Sequence, residues 1–328
     1  MNIVDMHCDT LSVMLENKRQ GQPYGLECSK NQITLPRMQQ SGYLLQNFAA
    51  YVNLAQAENP LLEALELIDL FYTELEKHAD AIRPARSWAD IEKNQADGVM
   101  SALLTGEEGE ITLGKSEYLR TLYHLGMRMM TLTWNYENSL GFPNRKLSRS
   151  DTDHSTDSNS QNCGLKEQGI TMLAEMEQLG MIIDVSHLSD AGFYDVLNHT
   201  TKPFVASHSN ARSVCPDLRN LTDDMIQKLA DRGGITGINF CQDFLGTPAD
   251  SQNYLDQAVV HMKYLMNLGG EEFVALGSDF DGISVYDDFA DCSVMPKLIQ
   301  AMEKASLTSA QIEKICYKNT LRVYKELL

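Results

Sequence analysis

The sequence contains no uninterrupted apolar run approaching the ~18 residues that a membrane-crossing helix requires. No basic segment and apolar stretch precede the strand-like IVDM at its start, and the closing LRVYKELL is too short and too charged for a lipid-anchor signal. These absences lead us to expect a cytoplasmic protein without a membrane partner. Positive charge is also scarce: 27 Lys+Arg stand against 45 Asp+Glu, for a formal charge of −18. Such a balance disfavours nucleic acid and anionic membranes as partners and suits an acidic enzyme. The seven cysteines (8, 28, 163, 215, 241, 292, 316) are scattered, odd in number and form no CxxC. That pattern argues against a disulfide framework and a structural zinc knuckle, leaving reduced, inert thiols as the expectation. The 16 methionines read as core filler.

What the chain does have is alternation. Apolar runs at Ile3–His7, Leu44–Val52, Val99–Thr105, Arg128–Thr133, Met181–His187, Pro203–His208, Gly234–Phe240 and Phe273–Phe280 read as eight strands. Amphipathic stretches separate many of them: Pro60–Ala79, Gly164–Leu179, Asp190–Asn198, Thr222–Asp231 and Tyr254–Leu268. Met295–Ala305 and Ser309–Leu327 would close the chain as helices, with Pro296 in the first turn of one and a Thr308/Gln311 capping box starting the other. The pattern predicts an α/β fold, a (β/α)8 TIM-like barrel, as one domain over residues 1–328. A polar loop insertion at about 145–163, RKLSRSDTDHSTDSNSQNC, follows the fourth strand on the rim where barrels keep their active-site loops. It reads as a solvated loop, with a lid over the site as the alternative.

Ionisable residues collect at the ends of these runs. His7 and Asp9 in IVDMHCDT are two apart and so point to one face, where imidazole and carboxylate converge on a cation. Glu108 lies in SALLTGEEGE, His187 in MIIDVSH, His208 in PFVASH and Asp279 in VALGSDFDG. In a parallel barrel the C-terminal strand ends share one rim, so all six would meet there. Oxygen and imidazole donors without thiolate suit Zn²⁺, Mn²⁺, Co²⁺ or Fe²⁺. The donors exceed what one open tetrahedral ion needs, which favours two ions. Glu108 could bridge one ion held by His7 and Asp9 to another held by His187 and His208, the pair sharing a nucleophilic hydroxide. Neighbouring Glu107 and Glu110 make this segment unusually acidic. His78, His124, His199 and His261 lack such a setting and read as surface or helix residues, while Cys8, between two ligands, should point away and pack.

The motifs NFAAYVNL, MTLTW, GLKEQG, IIDVSHLSD, SHSNARSVCPDLRN, LTDD and GSDFDG, together with the HxD at His7, cover most of the chain. In these it resembles the membrane (renal) dipeptidases, dinuclear zinc peptidases on an amidohydrolase-like barrel. The resemblance implies two Zn²⁺ per chain, with Mn²⁺ or Co²⁺ as substitutes, on His7, Asp9, Glu108, His187 and His208. Glu108 is the bridge on this pattern because the family's ligand directly precedes a glycine. Arg219 matches the arginine that grips the substrate carboxylate, its planar guanidinium suiting bidentate contact. Asp279 matches the acidic group beside the substrate amine and leaving nitrogen, and Asp281 reads instead as a loop cap. Familiar mammalian members carry a histidine where this chain has Trp134, a substrate-contacting position whose indole donates one hydrogen bond but cannot act as acid or base. Either His154 from the polar loop substitutes or the metals alone stabilise the oxyanion.

The expected activity is hydrolysis of dipeptides, including those with C-terminal D-residues, with Asp279 and Glu108 as catalytic carboxylates and a homodimer as the assembly. The alternative is another amidohydrolase-type enzyme acting on a small or cyclic amide. No strand-end lysine is placed to bridge metals after carbamylation, which disfavours the cyclic-amide variant. A non-catalytic metal-binding scaffold is the third class, and the full ligand set speaks against it.

Overall fold

The computed structural model describes residues 1–145, 147, 162–249, 252–284 and 287–328. His154 and most of the polar insertion lie outside the described residues. The strands are β1 (Ile3–Asp5), β2 (Tyr43–Tyr51), β3 (Ile82–Pro84), β4 (Met100–Glu107), β5 (Met129–Thr131), β6 (Ile182–Asp184), β7 (Val205–Ala206), β8 (Ile235–Ile238) and β9 (Val274–Leu276).

All pairings between these strands are parallel. β1 joins β2 on one side and β9 on the other, β2 joins β4, and the remaining neighbours follow in order, so eight strands close a TIM-like barrel. These eight correspond to the eight apolar runs of the sequence, which is how strands buried on both faces read. β3 was not expected. It pairs with Met100–Ala102 at the foot of β4, and β5 takes up the same edge higher, at Thr105–Glu107.

Alternation along the strands sorts side chains into two layers. Val4, Met6, Leu45, Leu103, Met129, Ile182, Val205, Ile235 and Ala275 pack together in the barrel interior, with Val323 and Tyr324 of the C-terminal helix joining them. The opposite parity, such as Ala102, Leu104, Met130, Ile183 and Leu276, packs against the surrounding helices.

The expected helices appear at Pro60–Lys77, Glu167–Leu179, Asp190–His199, Asp223–Asp231, Tyr254–Gly269 and Met295–Lys304. Thr222 caps the fourth of these and Pro296 sits in the first turn of the last. The Thr308/Gln311 capping box forms, but the closing helix is not continuous: a π-turn occupies Lys314–Lys318 between Ser309–Glu313 and Asn319–Leu327. Further helices that we did not anticipate run over Thr10–Arg19, Leu35–Ser41, Trp88–Ala96, Ser116–His124 and Gln242–Leu245. No described helix is long and apolar enough to cross a membrane. All seven cysteines are free, and Cys8 is buried with its Sγ directed to the Asn47 carbonyl.

Candidate metal centre

The strand ends converge as the barrel requires. His7 and Asp9 leave β1, Glu107 ends β4, His187 follows β6, His208 follows β7 and Asp279 follows β9. Each is less than one-tenth exposed. His187 and Asp279 take left-handed backbone conformations, with φ of 67° and 65°, where the chain turns sharply off its strand. Such conformations are costly for residues other than glycine and concentrate at functional sites.

Glu107 occupies the middle of the group. Its Oε2 lies 3.2 Å from His7 Nε2, and its Oε1 lies 3.1 Å from His187 Nε2 and 3.6 Å from His208 Nε2. His7 Nε2 is also 3.6 Å from Asp9 Oδ2 and 3.7 Å from Asp279 Oδ1. One carboxylate thus faces two nests of donors. His7, Glu107 and His208 form one group with the spacing of metal ligands, and His7, Asp9 and Asp279 form another.

This corrects the expected bridge. Glu108 is not in the cluster: it has φ of 94° and turns away, its carboxylate accepting from the backbone of Glu110 at 2.9 Å, the backbone of Trp134 at 3.1 Å and the Asn138 amide. It caps the short 3₁₀ turn Gly109–Thr112. The reason is parity. Leu103 and Glu107 are four apart on β4 and share the interior face, whereas the next residue must point the other way or leave the strand. Gly109 then passes so near β5 that a Cβ there would stand 2.4 Å from the Leu132 carbonyl oxygen. The glycine that guided the choice of Glu108 answers to this close packing.

Electrostatics show what the group lacks. Burial pushes the Glu107 carboxyl up to about 8; His7 opposes the shift and Asp9 adds to it. Burial likewise raises Asp279 to about 6, against the attraction of His7. Burial disfavours a charged His7, yet Glu107 and Asp9 outweigh it and hold that imidazole well above its ordinary pKa. His187 and His208 fall well below theirs, first through burial. Carboxylates are therefore gathered where water is excluded and cations are scarce. Among the described residues, His7 Nδ1 and Nε2 and Asp9 Oδ1 have no hydrogen-bond partner, although buried polar atoms ordinarily do. Unpartnered polar atoms on His7 and Asp9, buried carboxylates and the uncharged imidazoles of His187 and His208, without thiolate, fit divalent cations of the zinc and manganese type.

Two buried aspartates brace the rim by the same device. Asp5 Oδ1 accepts from the His7 and Ser278 backbones at 3.3 and 2.8 Å, and its Oδ2 accepts from the Ser278 hydroxyl at 2.6 Å. Asp184 Oδ1 accepts from the Ser186 and Ser207 backbones at 3.0 and 2.9 Å, and its Oδ2 from the Ser207 hydroxyl at 2.5 Å. The Ser207 oxygen in turn lies 2.6 Å from His208 Nδ1, while Asn135 Oδ1 lies 2.9 Å from His187 Nδ1. None of Asp5, Ser278, Asp184, Ser207 or Asn135 was singled out in the sequence. The serines act across neighbouring strands, which only strand order reveals; DxH and DxxH before the ligands were the visible trace.

A cavity of about 430 Å³ opens on the centre, and Tyr51, Trp134, Phe244, Asp279, Gly282 and Ile283 are among the residues that line it. The Trp134 indole stands edge-on to Tyr51 at 5.0 Å and 6.2 Å from the His187 ring. Asp279 Oδ2 is fixed by the Asn239 amide at 2.8 Å. Gly282 crosses over the acidic pair, where a Cβ would lie 2.0 Å from Asp9 Oδ2 and 2.8 Å from Asp279 Oδ1. Asp281 accepts from Thr10, Gln32 and Ile33 and serves as a loop cap. Arg219 is 2% exposed and is not part of the cavity wall; its guanidinium sits 5.3 Å from the Phe244 ring, bonded to Ser209 Oγ and the His208 carbonyl. Its Nε has no partner among the described residues. His261, anticipated as a surface or helix residue, is a fully buried helix residue.

Residues 1–327 match the family model described as membrane dipeptidase, peptidase family M19. An uncharacterized dipeptidase of Schizosaccharomyces pombe is 32% identical over 344 residues, covering 99% of this chain and 80% of that protein. Among solved structures, a metallopeptidase of family M19 termed dipeptidase AC superposes with a TM-score of 0.88 at 25% identity, covering 100% of this chain and 98% of its own. A Rhodobacter sphaeroides metallopeptidase liganded with a phosphinate mimic of L-Ala-D-Ala shares the fold, with a TM-score of 0.87 at 24% identity over 100% and 99% of the two chains.

Proposed function

The chain belongs to the membrane dipeptidase family, peptidase family M19, and is a metal-dependent dipeptidase; from that premise we propose a dinuclear centre, zinc in the first instance, acting on free dipeptides including those ending in a D-residue. The observation that carries the dinuclear reading is Glu107, whose two carboxylate oxygens face different imidazoles at 3.2 and 3.1 Å. His7 and Asp9 would hold one cation, His187 and His208 the other, with Glu107 common to both. Two bound cations would supply Lewis acidity toward the scissile carbonyl and a water acidic enough to attack near neutral pH.

The protein's own groups account for the remaining work. Asp279, held by Asn239 at the edge of the cluster, is placed to take a proton from the attacking water and return it to the departing amine. Its carboxylate also offers the ion-pair partner for a substrate's free amino group. Arg219 provides the complementary charge for the terminal carboxylate; Phe244 stands at the cavity wall beside it and must yield for contact. Trp134 and Tyr51 form an aromatic wall that keeps bulk water off the bound peptide. Trp134 offers no proton-transfer group, so carbonyl activation would fall to bound cations or to His154 of the polar insertion. A homodimeric state and cytoplasmic residence belong to the same proposal.

The test is a panel of free, amidated and L,D-dipeptides, L-Ala-D-Ala among them, assayed on protein with a measured metal content. Two cations per chain and turnover restricted to dipeptides with free termini are expected. Activity confined to cyclic or small non-peptide amides, or full activity with one cation per chain, would overturn the reading.

A further inference from the structure

The two halves of the centre differ in how their imidazoles are held. A carboxylate only accepts, so the single Ser207 hydroxyl proton is committed to Asp184 across 2.5 Å. The Ser207 oxygen, 2.6 Å from His208 Nδ1, must then accept from it, which makes His208 the Nδ1–H tautomer. Asn135 Oδ1 accepts from His187 Nδ1 in the same way. Both rings therefore turn an Nε2 lone pair toward Glu107 Oε1, at 3.1 and 3.6 Å, with the two Nε2 atoms 3.0 Å apart. Asp184 is in turn held by Thr131, Ser186 and Ser207.

Among the described residues, no comparable hydrogen bond holds the His7 ring. Asp5 and Ser278 repeat the strand clamp, but the Ser278 hydroxyl reaches Asp5 and the His7 carbonyl, never the ring. Neither His7 nitrogen has a hydrogen-bond partner among the described residues. Its ring is thus not oriented by a hydrogen bond of its own, where those of His187 and His208 are.

We propose that Ser207, anchored by Asp184, and Asn135 are positioning residues that preset His208 and His187, so that this half of the centre takes up a divalent cation ahead of the His7–Asp9 half. The inference rests on the dinuclear reading above and adds an order of loading. A ligand whose ring nitrogen is already oriented loses no freedom on binding, and partners of this kind typically contribute about 10–100-fold to metal affinity.

The experiment is titration of chelator-stripped full-length protein with Co²⁺ alone, followed by calorimetry and by the visible absorption of the bound ion. The parent should show two steps separated by roughly tenfold or more. Ser207→Ala and Asn135→Ala should each weaken the first step by about 10–100-fold and leave the second in place, while Ser207→Thr, which keeps the hydroxyl, restores the parent curve. Asp9→Asn should weaken the second step only. Asn135 lies in a partly exposed loop, so its variant carries the test if loss of Ser207 perturbs folding. Two equal steps in the parent, an unaltered first step in both alanine variants, or loss of the first step in Asp9→Asn would each overturn the loading order. Failure of the parent to bind any Co²⁺ would instead overturn the metal-centre reading beneath it.

Discussion

Glu107 Oε1 lies 3.1 Å from His187 Nε2, while the adjacent Glu108 is turned out of the centre to cap a loop. The two glutamates should therefore fail differently. Glu107→Gln removes the shared charge and should weaken both cations together, with activity lost. Glu108→Gln should retain both cations. Glu108→Ala strands buried donors of Glu110, Trp134 and Asn138, and should cost about 1–3 kcal/mol per donor left unpaired. Metal analysis and urea unfolding of the three variants check this; loss of both cations in Glu108→Gln would return the bridge to Glu108.

Asp279→Asn keeps the shape and the approach of Asn239 but cannot relay a proton. It should bind both cations and lower kcat by about 10²–10⁴-fold. Parental kcat with full metal content would move proton transfer to another group.

Arg219→Gln should raise KM for free dipeptides by the equivalent of roughly 2–5 kcal/mol of apparent binding, the range for a desolvated charge pair. Preference for the free acid over the amide should vanish with it. A variant that still discriminates the two by the parental ratio would remove Arg219 from carboxylate recognition.

His261 makes an acid-sensitive clamp. The Ala211 backbone donates to its Nδ1 at 3.2 Å, and its Nε2–H donates to the Leu245 carbonyl at 2.9 Å, an arrangement only the neutral ring satisfies. Burial lowers its pKa to about 4, against about 6.5 in the unfolded chain. Between those values the unfolded state binds more protons, so the stabilisation is complete above about 6.5 and fades as pH falls toward 4. From pH 7 to 5 this one group should cost about 2 kcal/mol, a slope that His261→Gln should remove. Urea unfolding at both pH values decides it; identical slopes in parent and variant would contradict the clamp.

The barrel was legible because its strands are buried on both faces and appear as apolar runs. β3 was not: Ile82–Pro84 is three residues long, contains an arginine and a proline, and pairs as a strand only with the foot of β4. The histidines and Asp9 could be placed from strand ends alone, since parallel closure brings those ends together. Choosing between Glu107 and Glu108 needed the strand phase, and Leu103 in the interior supplied it, but the glycine two residues after Glu107 pointed elsewhere. The capping box at Thr308 was visible as a local signal, whereas the π-turn at Lys314–Lys318 has no such signature. Ser207 and Asn135 acquire meaning only from the rings they touch.

Tyr324 lies fully buried in the barrel interior, its hydroxyl receiving the Asn47 amide at 2.7 Å, while the same amide reaches the Met6 carbonyl. The floor of the barrel is thus completed by a side chain some 280 positions downstream of the strand it meets. During synthesis the early strands must wait, apolar interior open, until that tyrosine clears the ribosome. Closure of the barrel is consequently a late event in folding, because its interior stays incomplete until residue 324 is in place.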